Sequence, residues 1–285
     1  MISGSTRVAA LIGIPARHSL SPAILNAAFA ARDLDWCFVV FEVAADQGAA
    51  AVGAMRTLDL GGLSVTMPHK DAACAAVDDR TPVAAAMGAV NCVYWDGGRL
   101  VGDSTDGPGF VDALRIDHGV DPDGRRCVIV GAGGAGRAVA WALGQAGAVD
   151  VAIVNRSLAP AERAAQLAGP NGRVGSVDDV AKADLVVNAT PLGMGGGAAE
   201  SLPVDPELLH DGQVVADLVY YPTVTPLLAA AAERGADVVT GVGMLVHQAA
   251  HAFRRWTGHD APVDEMTRAA TAELDRRAGT RTSEA

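Results

Sequence analysis

Short apolar runs alternate with alanine-rich stretches through the first hundred residues. The apolar runs predict strands and the alanine-rich stretches predict helices, the strands at 8–13, 36–43 and 63–65 and the helices at 21–31 and 47–58. In the first helix we expect Ser21 to be the N-cap and Pro22 to be the first helical residue. This alternation of strands and helices indicates a mostly parallel α/β sheet.

The second half of the chain continues the alternation. A turn signal at 96–98 predicts a hairpin, and a helix is expected at about 108–118. The later strands are predicted at 126–130, 151–154, 184–187, 214–218 and 237–240. After Gly241 the pattern is purely helical, with helices at 244–256 and 262–277, and the polar tail from Gly279 is expected to be frayed.

The composition excludes several classes of protein. Half of the 285 residues are apolar, which excludes a disordered chain. The net charge of −11 argues against a nucleic-acid partner, because phosphate binding requires clustered Lys and Arg. No segment approaches the roughly 20 apolar residues of a membrane span. We therefore expect a cytoplasmic protein with no nucleic-acid partner and no membrane contact. The composition leaves open whether it is a monomer or a homodimer.

The cysteines and histidines show no spacing typical of a metal site. Cys37, Cys74, Cys92 and Cys127 are widely separated and form no CxxC pair, so they are expected to be buried thiols in a reducing compartment. The histidines form no cluster with carboxylates at metal-ligand spacing. We predict no metal.

A glycine-rich loop follows the apolar run at 127–130 and opens an alanine-rich helix that reaches towards Gly147. Its residues are Gly131, Ala132, Gly133, Gly134, Ala135 and Gly136. In such a unit the first glycine makes a tight turn, the second admits a pyrophosphate close to the backbone, and the third lets the helix pack on the strand. The phosphate then lies at the positive end of the helix dipole. The loop and its flanking elements together predict dinucleotide binding.

The end of the following strand indicates which dinucleotide is bound. An acidic residue there would accept hydrogen bonds from the ribose hydroxyls of NAD and repel the 2′-phosphate of NADP. This chain has Asn155, Arg156 and Ser157 instead. A guanidinium can pair with a phosphate through two charge-assisted hydrogen bonds, so NADP is favoured over NAD.

Polar clusters recur at strand ends and loops of the first half, and each alone has an ordinary structural explanation. Taken in chain order with later motifs, they resemble the shikimate dehydrogenase family across nearly the whole chain. The matching segments are 19–22, 65–70, 89–91, 104–107, the glycine loop at 131–136, 155–157, 188–194, 217–222 and 241–248.

The resemblance implies a role for individual residues. Ser19 and Ser21 would hold a substrate carboxylate, and Lys70 and Asp106 would form the catalytic pair. The remaining substrate contacts would be Thr66, Asn91, Tyr220 and Gln248, with Asp106 also on a ring hydroxyl. Besides the glycine loop and residues 155–157, the cofactor contacts would be Thr190, Gly241 and Met244.

Three positions depart from the family pattern. Leu25 stands where histidine is frequent, Cys92 where threonine is usual and Ser104 where asparagine is usual. None of them removes a proposed catalytic group. They leave open a subfamily with another substrate preference, such as quinate or an aminated analogue.

The resemblance implies an α/β substrate domain at 1–107 and a Rossmann-type domain with a doubly wound parallel sheet at 108–240. Helices at 241–285 are expected to return to the first domain, with nicotinamide held against the substrate between the domains. The expected reaction is NADP-dependent, reversible reduction of 3-dehydroshikimate to shikimate in aromatic amino-acid biosynthesis. The alternatives are an NAD-dependent quinate/shikimate dehydrogenase and a non-catalytic regulatory relative.

Overall fold

The chain divides into two compact α/β units. The computed structural model describes residues 2–196 and 202–282. The first unit contains the residues up to Thr105 together with those from Val246 onwards, and the second contains Asp106–Leu245. Within the described ranges, no helix is both long and apolar enough to cross a bilayer.

The first unit contains a mixed sheet. Its strands are β1 (Arg7–Gly13), β2 (Trp36–Glu42), β3 (Gly62–Val65), β4 (Asp79–Arg80), β5 (Cys92–Asp96) and β6 (Arg99–Asp103). They pair in the order β2-β1-β3-β5-β6-β4. The pairs β1–β2, β1–β3 and β4–β6 are parallel, whereas β3–β5 and β5–β6 are antiparallel.

Three of the five strand pairs in this unit are parallel, so the expectation of a mostly parallel sheet is confirmed, and the antiparallel part comes from a hairpin. The predicted hairpin exists and joins β5 to β6 through Gly97 and Gly98, both at positive φ. A tight hairpin reverses the chain, so one of its two strands must run against β3. Alternation of strands and helices does not reveal this, because β5 enters the sheet after a helix like the strands before it.

The helices of the first unit cover its sheet. They are α1 (Ser21–Ala31), α2 (Gly48–Thr57), α3 (Lys70–Ala76) and α4 (Pro82–Met87). The expectation that Ser21 is an N-cap is wrong, because Leu20 holds that position and no side chain caps the helix. The reason is local: the Ser19 hydroxyl oxygen accepts a hydrogen bond from the Ser21 backbone N–H, which is the first N–H of the helix.

The second unit contains a parallel sheet. Its strands are β7 (Arg126–Val130), β8 (Asp150–Val154), β9 (Gly172–Val174), β10 (Leu185–Asn188), β11 (Val214–Asp217) and β12 (Asp237–Val239). Their order is β12-β11-β10-β7-β8-β9, and each neighbouring pair is parallel. β8 and β9 follow one another on one side of β7, and β10, β11 and β12 follow one another on its other side.

Helices cover both faces of this second sheet. They are α5 (Asp106–Asp112), which continues as a π-helical turn at Ala113–Asp117, α6 (Gly134–Gln145), α7 (Leu158–Leu167) and α8 (Pro226–Glu233). In β7, Cys127 and Ile129 join one apolar cluster while Val128 and Val130 join another. Successive strand residues face opposite sides, so two clusters mean two buried faces. The unit therefore has the doubly wound parallel fold that was expected.

Two C-terminal helices complete the chain. They are α9 (Gly241–Thr257) and α10 (Val263–Thr282). The expected fraying from Gly279 is wrong as far as Thr282, where the backbone is still helical, and the last three residues lie outside the described ranges. In the first unit the Trp256 indole N–H donates to the Val93 carbonyl at 3.0 Å, and its ring stacks on Phe38. This tryptophan fastens the end of α9 to the mixed sheet.

The cysteines are free thiols. Cys74, Cys92 and Cys127 are buried as expected, whereas Cys37 is only half-buried because it lies on β2, the outer strand of its sheet.

We predict that Gly62→Ala destabilises the protein by about 1–3 kcal/mol, the usual cost of overpacking a filled core. A Cβ at position 62 would overlap the indole of Trp256. Urea denaturation measures the change. The control is Gly53→Ala on the exposed side of α2, where an added Cβ meets no described atom within 4 Å. That control should be neutral or stabilising, and equal losses in the two variants would contradict the prediction.

Candidate active site and cofactor site

The glycine loop between β7 and α6 is shaped by close backbone contacts. Gly131 has a φ of +105°, a conformation that side-chain-bearing residues rarely adopt, and its added Cβ would lie 2.9 Å from the Thr190 methyl group. A Cβ at Gly136 would overlap the carbonyl oxygen of Gly131. The first and last glycines of the loop are therefore required by the fold itself.

The middle of the loop faces open space. A Cβ added at Gly133 or Gly134 would meet no atom of the described residues within 4 Å. Gly134 begins α6, and the first turn of that helix contains no acidic residue. Unpaired N–H groups at the positive end of the helix dipole can bind a phosphate here. The loop has the room and the donors that a dinucleotide pyrophosphate requires.

Residues 155–157 lie beside this loop, at the carboxyl end of β8. The Asn155 side chain accepts the Ala132 N–H at 3.2 Å and donates to the Ser157 carbonyl at 2.9 Å. Arg156 is exposed and forms no hydrogen bond or ion pair with any residue that the structure describes. A guanidinium in this position is available for an anionic ligand, which fits the 2′-phosphate of NADP.

A buried polar network joins the carboxyl ends of β10 and β11. The Thr190 hydroxyl donates to the Asn188 side chain at 2.7 Å, and Asn188 donates to Asp217 at 2.9 Å. Asp217 also accepts the Thr225 hydroxyl at 2.6 Å and the Val219 N–H at 3.0 Å. The network holds the loop that carries Thr190 and the loop that carries Tyr220. Burial raises the pKa of the Asp217 carboxyl above its ordinary value, and these hydrogen bonds oppose that rise.

The substrate-site candidates of the first unit lie at one edge of its sheet. β1 and β3 end there, before Ser19 and Thr66, and β5 begins there, because it runs antiparallel to β3. The backbone bond from Val65 N–H to the Asn91 carbonyl, at 2.8 Å, marks this edge. β6 also ends there, at Asp103. The structure thus brings together segments that are far apart in the sequence.

Ser19 and Ser21 are coupled through their hydroxyl groups. The Ser19 hydroxyl donates to the Ser21 hydroxyl oxygen at 3.1 Å. Ser19 is half-buried and Ser21 is buried. The Ser21 hydroxyl proton remains for another acceptor, and a carboxylate is a suitable one.

Lys70 is the first residue of α3, and Thr66 lies in the short connection from β3 to that helix. The His69 N–H donates to the Thr66 carbonyl at 3.0 Å, and the Lys70 carbonyl accepts the Val90 N–H at 3.0 Å. His69 is fully buried, and its Nε2 donates to the Val43 carbonyl at 3.0 Å. The histidine therefore connects the start of α3 to the segment that follows β2, and Lys70 itself is half-buried.

The chain contains only two lysines, Lys70 and Lys182, among its 22 basic residues. Arginine remains protonated at all physiological pH values, whereas lysine can exchange a proton. Lys70, in a chain whose other basic residues are arginine except for Lys182, is therefore suited to proton transfer as well as to carrying charge.

Asn91 connects the sheet edge to the segment that leads into Asp106. Its side chain donates to the Thr105 hydroxyl at 3.0 Å and accepts the Thr105 N–H at 2.8 Å. Asp106 then begins α5 in the second unit. There α5 crosses α6 closely, since a Cβ at Gly107 would lie 2.6 Å from the Ala138 carbonyl oxygen.

The remaining candidates lie on or near α9. In the second unit, an added Cβ at Gly241 would lie 2.5 Å from the Leu218 carbonyl oxygen, and Met244 packs against the apolar cluster beneath the parallel sheet. Gln248 is half-buried in the first unit. The candidates that follow strands therefore lie at the carboxyl edges of the two sheets, and Met244 and Gln248 lie on α9.

Sequence reasoning assigned no role to Asp103. This buried carboxylate accepts the Thr81 hydroxyl at 2.7 Å and the Ser104 N–H at 2.8 Å, and it pairs with Arg255 of α9 at 3.1 Å. Its carbonyl accepts the Asn91 N–H at 3.0 Å. Asp103 therefore positions the polar segment that ends at Asp106. Asn188 and Asp217 also received no role, although they begin the family-like segments 188–194 and 217–222. For Asp103 the only signal was a polar residue at a strand end.

The three departures from the family pattern are packing positions. Leu25 and Cys92 are fully buried within the first unit. Ser104 is also buried, and its hydroxyl donates to the Met87 sulfur at 3.3 Å. Each of these three side chains is therefore in contact with other residues of the protein interior.

Comparisons with known proteins agree with this geometry. A model of the shikimate dehydrogenase substrate binding domain matches residues 11–93, and one of the shikimate 5'-dehydrogenase C-terminal domain matches 241–271. A shikimate dehydrogenase (NADP(+)) of Alkaliphilus metalliredigens is 41% identical over 94% of this chain and 97% of its own length.

Two solved structures extend the similarity to the whole fold. A shikimate dehydrogenase in complex with NADP+ has a TM-score of 0.90 and 35% identity, covering 96% of this chain and 98% of its own. The enzyme of Thermus thermophilus, in complex with NADP(H) and shikimate, has a TM-score of 0.87 and 36% identity, covering 93% and 99%.

The parallel sheet, its open glycine loop and the adjacent Arg156 define the class of dinucleotide-binding α/β proteins. The similarity over almost the full length then identifies the family. The chain belongs to the shikimate dehydrogenases.

We predict that Asp217→Asn changes the pH dependence of stability. Because the folded-state pKa of Asp217 is raised, the folded protein binds this proton more tightly than the unfolded chain does. The contribution of Asp217 to the free energy of unfolding is therefore most favourable below its unfolded pKa of about 3.8. It becomes less favourable as the pH rises through the raised pKa of the folded state. Asparagine removes this dependence.

Urea denaturation of the parent and of Asp217→Asn from pH 4 to pH 7 measures the effect. The stability of the variant relative to the parent should increase with pH, whatever constant offset the lost hydrogen-bond strength adds. A difference that is flat across this range, or that falls with rising pH, would contradict the raised pKa.

Proposed function

We propose that this protein is an NADP-dependent shikimate dehydrogenase that catalyses the reversible reduction of 3-dehydroshikimate to shikimate. One observation carries the proposal: in each unit, polar segments follow strands that end at the same edge of the sheet, next to an open glycine loop in one unit and to the segment of Lys70 in the other. The relatives named as NADP(+) shikimate dehydrogenases support it. The reaction belongs to aromatic amino-acid biosynthesis and is expected to occur in the cytoplasm.

The first unit, with the helices that complete it, is proposed to bind the substrate. Ser19 and Ser21 hold its carboxylate, and Thr66, Asn91 and Gln248 bind the ring hydroxyls, with Tyr220 of the second unit near the carboxylate side. This set of hydroxyl and amide groups suits a polyhydroxylated acid, because each substrate oxygen needs a matching donor or acceptor. The coupled hydroxyls of Ser19 and Ser21 support the carboxylate assignment.

The second unit is proposed to bind the cofactor. The N–H groups around Gly133 and Gly134 bind the pyrophosphate, and Arg156 pairs with the 2′-phosphate beside Asn155 and Ser157. Thr190 lies along the cofactor, with Gly241 and Met244 near the nicotinamide. The open space at the glycines and the exposed guanidinium of Arg156 support these assignments.

The chemistry requires one hydride and one proton to leave the substrate alcohol. NADP+, held by the glycine loop and Arg156, would supply the acceptor for the hydride that leaves the carbon. Lys70 in its neutral form takes the hydroxyl proton, so the C–O bond becomes a carbonyl and the lysine becomes an ammonium. Asp106 is proposed to accept a hydrogen bond from a ring hydroxyl and so to hold the substrate for this transfer. Reduction reverses each transfer.

Initial rates test the proposed function directly. Purified protein is assayed at 340 nm with shikimate and with quinate, each against NADP+ and NAD+. We expect the highest kcat/KM for shikimate with NADP+. A higher value for either substrate with NAD+ would favour the alternative of an NAD-dependent quinate/shikimate dehydrogenase. Binding of shikimate and NADP+ without any absorbance change would favour a regulatory protein.

We predict that Lys70→Ala lowers kcat by about 10²- to 10⁴-fold, the usual contribution of a positioned acid or base, and leaves KM for shikimate within a few-fold. The loss falls on kcat because proton transfer takes place in the transition state. Steady-state kinetics measure both constants. Lys182→Ala, which removes the other lysine of the chain, is the control and should retain the parent rate. A raised KM with an unchanged kcat would make Lys70 a binding residue only.

We predict that Arg156→Ala raises KM for NADP+ by about 10- to 100-fold, because a hydrogen bond to a charged group contributes about 1.5–3 kcal/mol. KM for NAD+, which has no 2′-phosphate, should change less than twofold. Arg163→Ala, on the exposed surface of α7, makes the same change in net charge and should leave both values unchanged. Equal changes for the two cofactors would refute the role of Arg156.

A further inference from the structure

The loop from Ile14 to Leu20 presents the two serines that the proposed function assigns to the substrate carboxylate. On one side the sheet holds this loop. The Ile14 N–H donates to the Met67 carbonyl at 3.0 Å, and the Ala16 N–H donates to the Glu42 carboxylate at 3.1 Å. These bonds fix the beginning of the loop, and the Ser19 N–H donates to the Ala16 carbonyl at 3.0 Å within it.

The other side of the loop is held by a residue from the C-terminal helix. Arg277 donates from Nη1 to the His18 carbonyl at 2.6 Å and from Nη2 to the Ser19 carbonyl at 3.3 Å. The carbonyls belong to successive peptide groups, which are planar, so fixing both oxygens fixes the orientation of the backbone on either side of Ser19. The guanidinium is well suited to this task because its donors form a rigid fork.

The packing of α10 on α1 explains how Arg277 reaches the loop. Met266, Ala270 and Leu274 are buried at four-residue spacing and form the packed face of α10. Arg277 follows Leu274 by three residues and continues that face. At the far end of α1, Arg32 donates to the Asp260 carbonyl just before α10. The two helices are therefore antiparallel, and the end of α10 meets the start of α1.

Glu273 holds the guanidinium in place. Arg277 donates from Nε to Glu273 at 2.8 Å, and Arg276 donates to the same carboxylate. The Arg276 and Arg277 side chains lower the pKa of Glu273 to about 2, so this carboxylate is ionised throughout the range in which enzymes are assayed. The Arg277 side chain is 26% exposed and that of Arg276 is 67% exposed. The two neighbouring arginines share one partner, but the two carbonyl bonds to the serine loop come from Arg277.

We propose that Arg277 is a positioning residue that gives the enzyme its specificity for substrates with a carboxylate. The inference rests on the proposed function, since it deepens the role of Ser19 and Ser21. Arg277 acts through the loop: it fixes the backbone around Ser19, and the backbone fixes the two coupled hydroxyls in the direction from which they bind the anion. Without this bond the hydroxyls sample other directions and bind the carboxylate less tightly.

The test compares Arg277→Met with Arg276→Met, which removes the same charge from the adjacent position and from the same glutamate. Steady-state kinetics with NADP+ are measured for shikimate and for its methyl ester, which has the same ring but no negative charge. We expect Arg277→Met to raise KM for shikimate about tenfold, with kcat and KM for NADP+ within threefold of the parent. KM for the ester should change less than threefold. Arg276→Met should stay within twofold throughout.

Arg277→Lys is a second variant, which keeps the positive charge but lacks the two rigidly spaced donors of the guanidinium. It should fold with the parent melting temperature and raise KM for shikimate by an intermediate factor, which separates positioning from folding. Equal losses on shikimate and its ester, or equal losses in the two methionine variants, would overturn the inference. A parent protein that does not oxidise shikimate with NADP+ would instead overturn the proposed function, and this inference with it.

Discussion

Parallel pairing is the constraint on which the rest of this structure depends. Two strands that pair in parallel are joined by a crossover connection, and their carboxyl ends lie at the same edge of the sheet. In the second unit the strand order reverses between β7 and β10. In open parallel sheets, ligands bind at the carboxyl ends of the strands beside such a reversal. The glycine loop, Asn155, Thr190 and Tyr220 all follow strands that end there. The hairpin of the first unit keeps Asn91 at the corresponding edge only because β5 starts where β3 ends.

Buried carboxylates hold the loops at these edges. Asp103 and Asp217 are each almost inaccessible to solvent, and each accepts several hydrogen bonds from different elements. A buried charge without such partners is costly, so the loops that supply the donors are tied to one arrangement. In each unit, the loop at the carboxyl edge is therefore held by a buried carboxylate, Asp103 in the first unit and Asp217 in the second.

The sequence predicts this arrangement unevenly, and the reason is physical. The glycine loop is predicted well because its requirements are local: Gly131 and Gly136 contact each other within six residues. Asp103 and Arg255 are 152 positions apart, and Asn188 and Asp217 are 29 apart, so no local pattern shows that they are partners. The assignment of Ser21 as an N-cap failed by a single residue, because Ser19 made the bond instead. Strand direction at β5 also escaped prediction, since the apolar pattern of a strand does not depend on its direction.

The scarcity of lysine has a consequence for which cationic side chains can carry a proton to or from a bound molecule. The guanidinium of arginine does not give up its proton in proteins, whereas the ammonium of lysine can. Lys70 and Lys182 are the two lysines of the chain, and Lys182 precedes β10 rather than following a strand. Lys70 is therefore the one lysine or arginine side chain at either carboxyl edge that can exchange a proton.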